Sequence, residues 1–474
     1  MHFASIQFAY FLAVTLTVAS LLRGRPVAHK AFLTAASYVF YAKLSIPPML
    51  LLFASSLVNY GLGEAMDRAT KVRHRKYLLW AALVANLGLL GFFKYFGFVA
   101  QTARDVAMVL GLKPNETVLE LGLPLGISFF TFQGLAYVVD LYRHQGKKAQ
   151  SLLDFLLLIA FFPKLLAGPL VKSKRFLKQI ADGPPEGMVD LPQAVSLIAS
   201  GLFKKVVLAT VLATRLVDDA FVAPENYSGG ALFVAAIAYT VELYCDFSGY
   251  TDVARGIALF FGYRLPDNFN SPYSATDPGM FWNRWHISFS KWLREYIYFP
   301  MGGSKGSLPR TFLNLFVTFT ICGLWHGATW GYILWGALHG VVLCIHKAVR
   351  NARPALGLVG REPWWWLGLG WFLTFTVVVL SRVLFKAGDL ETAGVYFVRM
   401  FSVSAVGQGF DGWVVLATII GFALNFVGRP LRRWFIQLHE RIPTRFRPLF
   451  WVAVGMAILA LQPGDIAPYI YFQF

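Results

Sequence analysis

Residues 311–344 contain no Asp, Glu, Lys or Arg. A membrane-spanning helix needs about 20 consecutive apolar residues, so this run alone commits the chain to a bilayer. His326 lies in the middle of it. An imidazole at that depth loses its hydration and needs a partner or a water-lined cavity, which makes it a functional candidate by default. The ordinary alternative is a histidine that donates to a carbonyl of a neighbouring helix. A neutral imidazole is also the side chain best suited to accept a proton near neutral pH. His339 follows thirteen positions later. On one continuous helix that is roughly 220° around the axis, so His339 is expected off the face of His326 and in a structural role.

Composition agrees with the bilayer: 57% of residues are hydrophobic and only 14% charged, where a soluble chain carries about a quarter charged residues. The net charge of +18 does not signal nucleic acid, because the basic residues fall in short clusters between apolar runs. Clusters of that kind set topology and touch anionic lipid. Cys245, Cys322 and Cys344 all sit in apolar segments, without the spacing of a disulfide framework or a metal site. Residues 3–22 lack a basic leader and a small-residue cleavage site, so they read as a retained helix. The N-x-S/T matches at Asn115 and Asn226 are too common by chance to carry meaning.

The segment before the apolar run mixes aromatic and basic residues. Phe281, Trp282, Trp285, Phe289, Trp292, Leu293 and Tyr296 recur at the spacing of one helical face. Asp277 followed by Pro278 is a suitable N-cap and first-turn pair. With Arg284, Lys291 and Arg294 interspersed, the expectation is one helix in the membrane interface, its Trp residues acting mostly as anchors. His286 sits among them with Asn283 and Ser288 nearby in sequence, and its candidate roles are structural and chemical alike.

The rest of the chain alternates apolar spans with basic loops. Residues 31–63 read as two short passes broken at Pro47 and Pro48, and residues 77–100 as a further span. Residues 101–120 form a polar connector, and residues 121–142 a span loosened by Pro124 and Gly126. Residues 152–171 are interrupted at Pro163 and again at Gly168–Pro169, so a helix cannot run through them. Two half-depth pieces, a re-entrant element, are expected there. Residues 172–190 read as a loop, residues 191–216 as a span or amphipathic piece marked by Lys204 and Lys205, and residues 231–244 as a span. That span ends in CDFSGYTDVARG, which places Asp246 at a membrane boundary. Asp246 then either caps a following helix, with Ser248 and Thr251 at turn-like spacing, or polarises a histidine or binds a substrate hydroxyl. A basic connector at 347–361, spans to 384 and at 413–427, a basic loop at 429–447 and a last span at 448–462 complete the chain. The expected fold is an all-α polytopic membrane protein of about ten to twelve membrane elements, some crossing only partly.

Five stretches in fixed order carry a family resemblance: LPLGISFFTFQGLAYVVDLYR, FFPKLLAGPL, YCDFSGYTDVARGIALFFGYRLPDNFNSPY, FWNRWHISFSKWLREYIYFPMGG and LWHGATWGYILWGALHG. They resemble the membrane-bound O-acyltransferase (MBOAT) family, in particular its bacterial branch of alginate O-acetyltransferases and the D-alanyl transfer protein of teichoic acids. The resemblance implies a single membrane domain over residues 1–474, with a motif-rich core at 121–346. It also implies a helix bundle around a central funnel. By the same resemblance His326 of the WHG motif is the catalytic histidine and His286 of the WHIS motif the second one. Asp246, Ser248, Asn283 and Trp325 are the candidate substrate-binding or supporting positions.

The implied activity moves an acyl group from a cytoplasmic thioester, acetyl-coenzyme A in the first instance, towards an exopolysaccharide such as alginate. The implied setting is the bacterial inner membrane, with membrane lipids and periplasmic or extracellular acetyltransferase proteins as partners. No tightly bound cofactor, metal or nucleic acid is implied. The alternatives are D-alanyl transfer from an acyl carrier protein, and a transporter or flippase in which His326 relays protons.

Overall fold

The computed structural model describes residue 3 and residues 5–112, 122–183, 190–354, 363–402, 406–464 and 467–470. Asn115 and parts of the connectors expected at 101–120, 172–190 and 347–361 lie outside the described residues. Among the described residues the chain is helical, with one isolated bridge between Tyr227 and Gln408 and no β-strand. Among the described residues eight helices are long and apolar enough to cross a membrane, and two shorter apolar helices accompany them. The protein is a polytopic membrane protein.

Two compact units are present, Met1–Ala194 with Ala254–Pro266, and Val195–Val253 with Asp267–Phe474. The first contains α1 (Ile6–Leu21), α2 (Pro26–Ala42), α3 (Ile46–Arg68), α4 (Val72–Val109), α5 (Ile127–Tyr142), α6 (Leu152–Ala160), α7 (Phe162–Leu165) and α8 (Ser173–Asp182). Pro47 and Pro48 fall in the first turn of α3, where a missing N–H costs nothing, so the break expected there lies just before them. Helix α5 is the core of this unit, with every residue from Ile127 to Leu141 buried. Gln133 of this helix donates from Nε2 to the Val171 carbonyl (2.9 Å) and accepts from the Val171 N–H (3.3 Å). The interrupted segment forms two pieces as expected, α6 and α7, parted at Phe161. Residues 173–182, expected within a loop, form α8 instead. Phe176, Leu177 and Ile180 give that helix a buried stripe among its basic residues.

The second unit holds most of α9 (Leu191–Val222) and α10 (Gly229–Phe260), then α11 (Pro278–Arg284), α12 (Ile287–Leu293), α13 (Leu308–His326) and α14 (Trp330–Ala352). It ends with α15 (Trp364–Lys386), α16 (Leu390–Met400), α17 (Gly412–Arg441) and α18 (Arg447–Ala460). Three expectations change here. Helix α10 does not end near Tyr244 but continues to Phe260, because CDFSGYTDVARG contains no proline and Asp246, Ser248 and Asp252 find partners along α9. The basic stretch from Arg429 is not a loop but the second half of α17, which passes through Pro430. The aromatic segment is two short helices, and Trp282, Trp285 and Trp292 are 6%, 3% and 8% exposed. These indoles belong to the protein core and are not interfacial anchors.

The charge-free run is itself two helices. Helices α13 and α14 fold back on each other around residues 327–329, and glycines make the contact close. A Cβ on Gly336 would collide with the Phe319 carbonyl oxygen, and one on Gly323 with the Tyr332 carbonyl oxygen. Small residues at such crossings let membrane helices gain dispersion energy where no hydrophobic effect drives them together. Gly336→Val is expected to destabilise the protein by about 1–3 kcal/mol through overpacking. Gly368→Val, where a Cβ meets nothing within 4 Å, serves as the control. Thermal unfolding of both variants in detergent checks the pair, and equal midpoints would refute the close-crossing account.

Candidate active site

His326 is the last residue of α13 and is 5% exposed. Rings surround it: Trp325 at 4.7 Å between centroids, Phe385 at 5.0 Å, Trp335 edge-on at 5.2 Å and Phe289 at 6.0 Å. The turn at residues 327–329 is what makes this cage possible, because it sends α14 back past the end of α13. Trp335 thereby stands between the two histidines of the run, with His339 on its other side at 4.9 Å. The angular separation expected on a continuous helix does not apply, since His326 and His339 lie on different helices. His339 is held by the Ser381 hydroxyl, 3.1 Å from Nε2, and by the edge of Trp282 at 5.1 Å.

His286 is the reason the aromatic segment breaks. Its backbone is left-handed, with φ 42° and ψ 54°, a conformation that costs a residue with a Cβ about 1–2 kcal/mol. Asn268 clamps the turn. Its carbonyl accepts the Ile287 N–H at 2.9 Å and its side-chain oxygen accepts the Ser288 N–H at 3.2 Å. Strain held by such a clamp is a mark of functional positions. The imidazole is buried against Phe247 (4.6 Å, edge-on) and Phe289 (5.0 Å). Burial pushes its pKa from the ordinary 6.5 down to about 3, so the ring is neutral at physiological pH.

One ring pair joins the two histidines. Phe289 stacks on Trp325 at 4.0 Å and 27°, with His286 against one side of the pair and His326 against the other. Trp325 thus packs near both histidines, 6.0 Å from the His286 ring and 4.7 Å from that of His326. The site also contains Arg382, which the sequence reading passes over. Only 2% exposed, its guanidinium lies 4.8 Å from the Trp285 ring, 5.4 Å from Phe385 and 5.9 Å from Trp335. Cation–π attraction of this kind strengthens when water is excluded. The available signal was a lone arginine inside an apolar span, an expensive placement that points to function.

Asp246 and Ser248 belong elsewhere. Asp246 lies in mid-helix, so it caps nothing. One of its oxygens pairs with the Lys205 ammonium, and the other accepts the Ile470 N–H at 3.1 Å. Lys205 also donates to the Pro468 carbonyl at 2.9 Å and lies 4.5 Å from the Tyr469 ring centre. Ser248 accepts from Lys204 at 2.9 Å, and Lys204 pairs with Asp252 at 2.7 Å. These groups form a polar seam that ties α9, α10 and the C-terminal tail together. Asn283 is exposed and donates to the Gly279 carbonyl one turn back, at 2.8 Å. Lys204, Lys205 and Asn268 are the supporting residues that sequence reasoning missed. Adjacent lysines in an apolar run were the sign, because a buried ammonium must find a carboxylate.

Comparison with known proteins places this site in context. Residues 146–385 match the family described as MBOAT, membrane-bound O-acyltransferase. The chain is 39% identical over 373 residues to a probable alginate O-acetylase of Pseudomonas aeruginosa, covering 78% of this chain and 69% of that one. It is 33% identical over 470 residues to a probable alginate O-acetylase of Pseudomonas putida, covering 93% and 94%. A peptidoglycan O-acetyltransferase of Helicobacter pylori is 35% identical over 394 residues, covering 78% and 73%.

Substitutions at three positions test the geometry. His286→Asn suits the left-handed turn and is expected to leave the thermal midpoint nearly unchanged. His286→Val is expected to lower stability by about 1–2 kcal/mol, and equal midpoints would show that the turn carries no strain. Lys205→Met leaves Asp246 as an unpaired buried charge and is expected to cost about 3–5 kcal/mol. Adding Asp246→Leu to that variant is expected to restore most of the loss, as read from the same melting curves.

Proposed function

The chain belongs to the membrane-bound O-acyltransferase family, and from that membership we propose that it carries an acetyl group from a cytoplasmic thioester towards an exopolysaccharide such as alginate. The observation that carries this reading is His326, an imidazole buried at the end of a membrane helix in a cage of rings. A thioester is already activated, so the protein's task is to exclude water, align two substrates and remove one proton.

In the proposed reaction the acceptor hydroxyl attacks the thioester carbonyl while His326 takes its proton. The C–O bond forms, the C–S bond breaks, and the proton passes from His326 to the departing thiolate. The charge that develops on the carbonyl oxygen needs a donor in a dry site. Trp335 supports this role. Its indole is 1% exposed beside His326, and Nε1 has no hydrogen-bond acceptor among the described residues. His286, neutral and held in its strained turn, is proposed to orient the acceptor. Acetyl-coenzyme A is the proposed donor and the bacterial inner membrane the proposed location. Periplasmic or extracellular acetyltransferase proteins complete delivery to the polysaccharide.

The test is thioester cleavage by the purified protein with acetyl-coenzyme A and candidate acceptors. His326→Ala is expected to lower the rate by roughly 10²–10⁴-fold with the fold intact, and Trp335→Phe by about 10²-fold. Equal rates for wild type and His326→Ala would remove this histidine from the chemistry. Cleavage seen only with an acylated carrier protein would replace the proposed donor, and flux across a membrane without cleavage would replace the reaction itself.

A further inference from the structure

A cavity of about 490 Å³ lies within the second unit between α9, α17 and α18. Its wall is apolar over most of its extent, with Phe203, Leu431, Trp451 and Ile458 among the lining side chains, and Arg432 contributes the one charged group. Binding cavities of several hundred Å³ have this character, an apolar body with a few polar groups that fix orientation. An apolar space at membrane depth suits a hydrocarbon chain.

The charge around Arg432 specifies the rest of the occupant. The guanidinium is 3.7 Å from one oxygen of Asp252, and the other oxygen already receives Lys204 at 2.7 Å. One carboxylate facing two cations neutralises only one of them. The same end of α17 and the turn after it are strongly basic, since Glu440 is the only acid between Arg429 and Arg447. Basic groups beside a membrane helix attract the anionic headgroups of the cytoplasmic leaflet.

We propose that this cavity holds one acyl chain of an anionic phospholipid, with the lipid phosphate paired to Arg432. The lipid then fills the space between three helices and completes the charge balance of the seam that includes Asp252. Anionic lipid then stabilises the packing of the C-terminal helices, independently of the acyl-transfer reading.

The full chain, delipidated in detergent, is offered phosphatidylglycerol or phosphatidylcholine with identical acyl chains. Retained lipid is counted by native mass spectrometry, and the thermal midpoint is followed. Wild type is expected to retain phosphatidylglycerol preferentially and to be stabilised by it. Arg432→Gln is expected to weaken that binding by about 5- to 10-fold, the effect of one arginine at a lipid surface. Gly428→Phe fills the cavity from a position where a Cβ meets nothing within 4 Å, and is expected to abolish retention with helicity unchanged. Equal retention of both lipids by wild type overturns the proposal, as does phosphatidylglycerol retention undiminished in Gly428→Phe. Should Gly428→Phe fail to fold, an unchanged lipid preference in Arg432→Gln has the same force.

Discussion

The stack of Phe289 on Trp325 is the contact on which the histidine site depends. It joins a strained turn, carrying His286, to the end of a membrane helix, carrying His326. Both histidines are packed against aromatic rings. Trp335 and Phe385 close the cage on the far side. In a site this buried, ring packing fixes orientation without introducing a charge that would have to be neutralised. For His286 such a surrounding favours the neutral imidazole, the form in which a histidine accepts a proton.

Charge is handled in two ways in this unit. Arg382 sits among Trp285, Trp335 and Phe385, where the ring quadrupoles offset part of its lost hydration. Lys204 and Lys205 instead meet Asp252 and Asp246, and the second pair reaches the C-terminal tail through Ile470 and Pro468. A buried pair of that kind adds little net stability but is costly to break on one side. It therefore specifies which groups meet: the tail is drawn to a place along α9 and α10 where the Pro468 carbonyl and the Ile470 N–H find partners.

Family membership was legible in the sequence because five motifs occur in order, and the two motif histidines do share one ring cluster. The polytopic class and the divided segment at residues 152–171 were also legible. Wrong expectations share one cause. The Trp residues of the 281–292 segment read as lipid anchors because periodicity shows that a face is apolar and leaves open what covers it. Asp246 read either as a cap or as a partner of a histidine or substrate hydroxyl, because Lys205 is distant in sequence and the pairing exists only once α9 lies against α10. His339 was placed by an angle that presumed one helix, and the turn at residues 327–329 removed that premise.

The sequence alone determined what must leave water. A charge-free run and a low charge content require a bilayer, and basic clusters between spans set its topology, because the cost of burying charge is a property of the residues themselves. The tertiary structure decided which buried groups meet. It set Trp335 between His326 and His339, placed Arg382 among rings, held His286 in a left-handed turn through Asn268, and gave Asp246 to Lys205. Those outcomes depend on where helices break and cross, and crossings are fixed by close approach between residues on facing helices, such as Gly323 and Gly336.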